Sequence, residues 1–159
     1  MAIRVGDRVP SCELSTMGDS GVEKVRTDEF FAGRRVVLFA VPGAFTPTCS
    51  AKHLPGFIEN REKILGKGVD AIACMAVNDV FVMNAWGKSA GAGDIVMLAD
   101  GNGDFARALG LEMDARGFGM GLRSQRFALV INDGIVEHLW VEQPGEFRVS
   151  SAEAVLGQL

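Results

Sequence analysis

The sequence predicts an α/β fold, a central mixed β-sheet flanked by helices, formed as one domain over residues 1–159. Three observations predict it. Two apolar runs of strand length, in "RRVVLFAV" and "GVDAIACMAVND" (Gly68 to Asp79), bracket a segment whose apolar residues recur at near-helical spacing. A strand, a helix and a strand of these lengths form a right-handed βαβ unit with parallel strands. Further on, "RFALVINDGIVEHLWVE" holds two apolar runs around Asp133-Gly134, a dipeptide suited to tight hairpin turns, and this adds antiparallel strands.

The elements follow in order. The opening, Met1 to Ser20, reads as extended and turn-rich. "TDEFFAG" starts a short helix, with Thr27 as N-cap and Gly33 as the stop. "RRVVLFAV" is continuously apolar and reads as a buried central strand. From Ser50 to Gly66, Leu54, Phe57, Ile58, Ile64 and Leu65 mark the helix, and Pro55 lies early enough in it to be tolerated or to kink it. After the second strand, Val80 to Lys88 reads as a helix with Phe81, Val82, Ala85 and Trp86 on its apolar side. "IVMLAD" is another strand, and "NGDFARALGL" a short helix capped by Asn102 or Asp104. Gly-rich "EMDARGFGMGLRSQ" reads as an exposed loop or loose turn, and the hairpin follows. "SSAEAVLGQL" closes as a helix capped by Ser150 or Ser151, with Glu153 near its first turn. A βαβ unit followed by a hairpin and a final helix is the thioredoxin-like arrangement.

Composition narrows the classes of function. Apolar residues at 48% and charged residues at 23% argue against disorder. A net charge of −4 with no basic block argues against nucleic acid or an anionic membrane as the main partner. "MAIRVGDRVPSCEL" is too polar for a secretory leader, and no apolar run approaches a membrane span, so a cytoplasmic protein is expected. Cys12, Cys49 and Cys74 include no CxxC pair, and His53 and His138 are the two histidines, so no metal or other cofactor is expected. An odd, sparse cysteine count in such a chain leaves free thiols.

Among these cysteines Cys49 stands out. It ends "VPGAFTPTCS", just past the carboxyl end of a predicted parallel strand and at the start of a helix. Ligands of open α/β sheets bind at that edge. A helix start also offers unpaired N–H groups and partial positive charge, which favour thiolate over thiol. The competing reading is a buried packing residue, the common fate of a free cysteine. His53, one helical turn later, invites a Cys-His general-base pair. Packing or hydrogen bonding beside the pocket is the preferred reading for His53.

"VPGAFTPTCSAKHLPGF" resembles the active-site segment of the type II, peroxiredoxin-5-like peroxiredoxins, whose Pro-x-x-x-Thr-x-x-Cys motif maps onto Pro42, Thr46 and Cys49. The likeness continues through "AVNDVFVMNAWGKS", "LADGNGDFARALGLEMD", "RSQRFALVINDGIV" and "GEFRVSSAEAVL". The resemblance implies reduction of hydrogen peroxide and alkyl hydroperoxides through a sulfenic acid on Cys49. Thr46 would then orient the peroxide and hydrogen-bond the sulfur, and Pro42 would shield it from bulk water. The family's later arginine matches Arg126, which would favour the anionic sulfur and hold the peroxide oxygens as the O–O bond breaks. A homodimer built near the active-site loops is also implied, and Phe81, Trp86 and Phe118 are either core or part of such an apolar patch.

Resolution of the sulfenic acid departs from part of that family. Some relatives carry a C-terminal resolving cysteine, whereas "VEQPGEFRVSSAEAVLGQL" has none. Cys74 follows Cys49 by 25 residues, a spacing similar to plant members that work with glutaredoxin or glutathione. Cys74 is also set back from the strand end by roughly 13 Å at about 3.3 Å per residue, so a Cys49–Cys74 bond would need local unfolding. The expectation is a one-cysteine peroxidase recycled by glutathione/glutaredoxin, by thioredoxin or by another external thiol. A peroxide sensor would use the same residues and is not separated from the enzyme by sequence. A thioredoxin-type reductase lacks its CxxC pair, and "GFGMG" lacks the spacing and the strand-to-helix setting of a dinucleotide loop.

Overall fold

A computed structural model describes residues 2–159, so Met1, in the stretch read as extended, lies outside the described residues. Strands β1 (Glu13–Gly18) and β2 (Gly21–Arg26) form a hairpin that the opening had not announced. Then come α1 (Thr27–Phe30), β3 (Arg35–Ala40), α2 (Leu54–Leu65), β4 (Ala71–Ala76), α3 (Val80–Ala90), β5 (Val96–Ala99) and α4 (Asp104–Leu109). Strands β6 (Glu112–Asp114) and β7 (Leu122–Ser124) pair with each other, and β8 (Phe127–Asn132), β9 (Ile135–Val141) and α5 (Ala152–Leu156) complete the chain.

Seven strands form one mixed sheet in the order β2-β1-β5-β4-β3-β8-β9. Strands β3, β4 and β5 are parallel, as the βαβ pattern requires, and β8 runs antiparallel to β3. Burial follows the apolar runs: Val36 to Val41 are fully buried, and so are Ala73 to Ala76. Both faces of β3 and β4 are covered, which is why these strands read as continuous rather than alternating. One face packs on α2, α3 and α5 through Val37, Phe39, Phe57, Trp86 and Val155, the other through Val36, Leu38, Phe105 and Leu129.

Several local expectations are revised. Thr27 is the first residue of α1, not its cap; its hydroxyl donates to the Pro10 carbonyl and accepts from the Cys12 amide. On α3 the buried side is Val80, Met83, Trp86 and Gly87, while Phe81 is 67% exposed. Neither Asn102 nor Asp104 caps α4. Asp100, just after β5, instead accepts from the amides of Phe105 and Ala106. The Gly-rich stretch is not a loose loop: β6 and β7 close it as a hairpin, with a 3-10 turn at Arg116–Phe118. Phe118, on that turn, is exposed. Asp133 and Gly134 both take positive φ, 48° and 78°, which is the backbone the β8–β9 turn demands. Ser151 caps α5, accepting from the Ala154 amide.

Candidate active site

The helix that carries Cys49 begins at Pro47, and residues Cys49–His53 form a π-helical turn before α2. Proline is suited to a first helical position, where no amide is needed. The Ser50 amide bonds the Thr46 carbonyl at 2.9 Å, closing the first turn. Cys49 therefore lies where backbone amides have no helical acceptor of their own. The loop before it and the helical turn after it are each tied to a neighbouring element. Asn78, beyond β4, accepts from the Ala44 amide at 2.9 Å, and the Trp86 indole donates to Ser50 Oγ at 3.0 Å. A Cβ at Gly43 would sit 3.1 Å from the Thr46 methyl and 3.2 Å from Arg123 Nη1, so a side chain there would press on both by a few tenths of an ångström.

Cys49 is fully buried, and Arg126 Nη2 donates to its Sγ at 3.1 Å. Arg126 immediately precedes β8, and its carbonyl accepts from the Glu142 amide at 3.0 Å. That bond extends the β8–β9 ladder by one rung and anchors the arginine backbone. The second arm of the guanidinium, Nη1, lies 2.7 Å from His53 Nδ1. Guanidinium only donates, so Nδ1 is the acceptor and the ring proton is on Nε2. Nε2 then donates to the Ser150 carbonyl at 2.9 Å. The imidazole is enclosed by Phe39, Phe57 and Phe147, with ring centroids 5.0, 5.7 and 4.9 Å away. Burial, followed by the Arg126 charge, pushes its pKa down to about 3. With both nitrogens engaged and the ring neutral, His53 steers Arg126 and has no lone pair to take a proton from Cys49.

Pro42, Thr46 and Arg126 share one cavity of about 730 Å³, whose further walls include Met113, Ala115, Phe118, Met120 and Pro144. The structure thus brings together all four residues singled out in the sequence. One detail is corrected. The Thr46 hydroxyl does not bond the sulfur; it donates to the Gly43 carbonyl at 2.7 Å, which leaves its lone pairs as acceptors toward the cavity. The segment after β9 also matters, and Glu142 at its head carried no mark of its own in the sequence. Glu142 is buried, and its carboxylate accepts from the amides of Arg148, Val149 and Ser150 and from Ser150 Oγ. Burial alone would raise the Glu142 carboxyl, but these bonds outweigh it and hold the group below its ordinary range. The hint in the sequence was the family resemblance of "GEFRVSSAEAVL", which begins three residues after Glu142.

Cys74 lies in β4 opposite Phe39, fully buried in the same core cluster as Cys49. Burial pushes its thiol well above the ordinary range, and the nearby Cys49 charge adds to that. All three cysteines are free. Among the described residues, no group of three His, Cys, Asp or Glu side chains comes together that could hold a metal ion.

A buried cysteine on the first helical turn at the carboxyl edge of a parallel strand, faced by an arginine from the antiparallel half of the sheet, defines a redox protein of thioredoxin-like fold. The redoxin family model matches residues 4–156, and the chain belongs to that family. It is 53% identical to peroxiredoxin-2E-2, chloroplastic, of Oryza sativa subsp. japonica, over 99% of this chain and 72% of that one. It is 48% identical to peroxiredoxin-2B of Arabidopsis thaliana, over 99% of this chain and 98% of that one. The crystal structure of reduced Prx3 from Vibrio vulnificus in complex with H2O2 superposes with a TM-score of 0.96 at 52% identity, over 98% of both chains. Within the redoxins this chain is a type II peroxiredoxin, a thiol-dependent peroxidase.

Proposed function

We propose that Cys49 is the peroxide-reactive sulfur, that Arg126, Thr46 and Pro42 serve it, and that an external thiol returns it to the reduced state. The observation that carries this reading is the 3.1 Å contact between Arg126 Nη2 and Cys49 Sγ. The thiolate attacks the terminal oxygen of the peroxide, forming an S–O bond as the O–O bond breaks. The leaving oxygen takes up from solvent the proton that the Cys49 thiol released on ionising and departs as water or an alcohol, and the sulfur becomes a sulfenic acid. Arg126 stabilises the charge that develops on the leaving oxygen. Thr46, whose hydroxyl proton is committed to Gly43, accepts a hydrogen bond from the terminal peroxide OH, which passes to the sulfur with its proton. Pro42 is part of the wall that keeps water from the reacting atoms.

Hydrogen peroxide fits this role: a Vibrio vulnificus relative at 52% identity was crystallised with H2O2. Alkyl hydroperoxides are included because Met113, Ala115, Phe118 and Met120 give the cavity an apolar wall. Glutathione with glutaredoxin is the preferred reductant, with thioredoxin or another thiol as the alternative. An external thiol is supported by Cys74 being fully buried with its thiol held protonated, hence a poor nucleophile toward a sulfenic acid, and the preference for glutathione with glutaredoxin by the plant-like Cys49–Cys74 spacing. A homodimer belongs to the same reading, supported by Phe45 and Phe81, exposed by 53% and 67%. A cytoplasmic location suits three unpaired thiols.

The test is a peroxidase assay of wild type and Cys49→Ser with glutathione/glutaredoxin and, separately, thioredoxin. Loss of activity with both reductants in Cys49→Ser is expected. Unchanged activity would overturn the assignment of the sulfur, and turnover with thioredoxin alone would overturn the preferred reductant.

A further inference from the structure

The chain from Glu142 to Ser150 leaves β9 and returns over the site, and one carboxylate gathers its far end. Glu142 Oε2 accepts from the amides of Arg148 at 2.8 Å, Val149 at 2.9 Å and Ser150 at 2.8 Å, and from Ser150 Oγ at 2.7 Å. Its other oxygen accepts from Arg148 again at 2.9 Å. Three successive amides converging on one anion fix the local backbone and hence the direction of the Ser150 carbonyl. That carbonyl receives His53 Nε2, His53 Nδ1 receives Arg126 Nη1, and Arg126 Nη2 reaches Cys49. The same loop places Phe147 against the imidazole and under Arg126, whose guanidinium carbon is 5.7 Å from the ring centroid. The Glu142 backbone amide holds the Arg126 carbonyl as well.

We propose that Glu142 is a positioning residue for peroxide reduction, aiming Arg126 at Cys49 through the Ser150 carbonyl and His53. It borders the same cavity, but its carboxylate is taken up by the Arg148, Val149 and Ser150 amides and not by the sulfur. Its effect is geometric, because a guanidinium that is free to rotate meets the sulfur and the leaving oxygen only part of the time. The inference rests on the role proposed above for Cys49 and Arg126.

The experiment is a double-mutant cycle on the rate constant for sulfenic acid formation with hydrogen peroxide, using Glu142→Gln, His53→Ala and the pair. The glutamine keeps the shape but loses the charge, and its amide nitrogen must face the Arg148 N–H. A slowing of about tenfold is expected for Glu142→Gln, since misplacing a catalytic group by about 1 Å can cost up to about 10²-fold. In the His53→Ala background the same change is expected to add nothing, because the connection it acts through is already gone. Two single effects that multiply would overturn the proposal, and so would a Glu142→Gln rate constant equal to wild type.

Nitrogen-15 NMR of the histidines supplies a readout independent of activity. His53 is expected as a single tautomer protonated on Nε2 in wild type, and as a mixture in Glu142→Gln. Unchanged His53 signals would overturn the proposal even if the variant were slow. Should Glu142→Gln not fold, Ser150→Ala removes one donor to the carboxylate and keeps the Ser150 carbonyl. A loss of about threefold with a shifted His53 signal is then expected, on the scale of one hydrogen bond, and an unchanged rate and signal would overturn it. Failure of the site assignment itself reads differently: Cys49→Ser would stay active whatever the Glu142 variants did.

Discussion

Acid weakens this fold through His53 in a way that can be worked from the site. The buried imidazole is held neutral with a pKa of about 3, against an ordinary 6.5 in the unfolded chain. Because the unfolded state takes up the proton first, acid favours unfolding. The stabilisation is complete above the ordinary value and is lost as the pH falls toward the folded value. Between about pH 7.5 and about pH 4.5 the unfolded chain gains nearly one proton here and the folded chain gains almost none. At about 1.36 kcal/mol per pH unit below 6.5, the loss comes to about 2.7 kcal/mol. Glu142 acts in the same direction at lower pH, since its carboxyl is held below its ordinary range. The assay is urea unfolding at a series of pH values for wild type and His53→Gln. A glutamine there can accept from Arg126 and donate to the Ser150 carbonyl without titrating. The wild-type stability should fall more steeply than that of His53→Gln by nearly one proton's worth of slope. Parallel pH dependences would refute the neutral, doubly bonded imidazole.

Three further outcomes follow from the same geometry. Arg126→Lys keeps the charge but not the fork that reaches both Sγ and His53, so the peroxide rate constant should fall by about 10²-fold in stopped-flow measurements. Cys74→Ser puts a hydroxyl into a fully buried apolar setting and should lower unfolding stability by about 1–3 kcal/mol, with peroxide turnover retained on an external thiol. Asp100→Ala frees the two α4 amides that its carboxylate binds and should cost about 1 kcal/mol, read as faster hydrogen exchange confined to that helix.

The elements that were legible in the sequence are those whose signal is local. Val36 to Val41 and the run around Cys74 could only be buried strands, and Asp133-Gly134 carried its own turn chemistry. Where the partner lies elsewhere in the chain, the local signal misled. Thr27 and either Asn102 or Asp104 looked like caps, but Thr27 spends its hydroxyl on Pro10 and Cys12, and α4 is capped by Asp100, just after β5. Phe81 could have been core or part of an exposed patch, and the face of α3 that meets the sheet, through Val80, Met83 and Trp86, leaves it exposed.

The site divides in the same way. Pro42, Thr46 and Cys49 lie within eight residues on one strand–loop–helix connection, so their conjunction is written in the chain itself. Arg126 entered through family resemblance, and an arginine beside Arg123 had no local mark of its own. The roles of His53, Ser150 and Glu142 belong to the tertiary structure alone. A histidine's tautomer depends on which donor and acceptor face its two nitrogens, and here these come from residues 73 and 97 positions away. A backbone carbonyl, such as that of Ser150, leaves no trace in the identity of the residue that carries it. The chain by itself determined a thioredoxin-like sheet with an activatable cysteine at its edge. Closure of the sheet by β8 and β9 decided which groups hold that cysteine's arginine in line, because hydrogen-bond direction exists only once the distant segments meet.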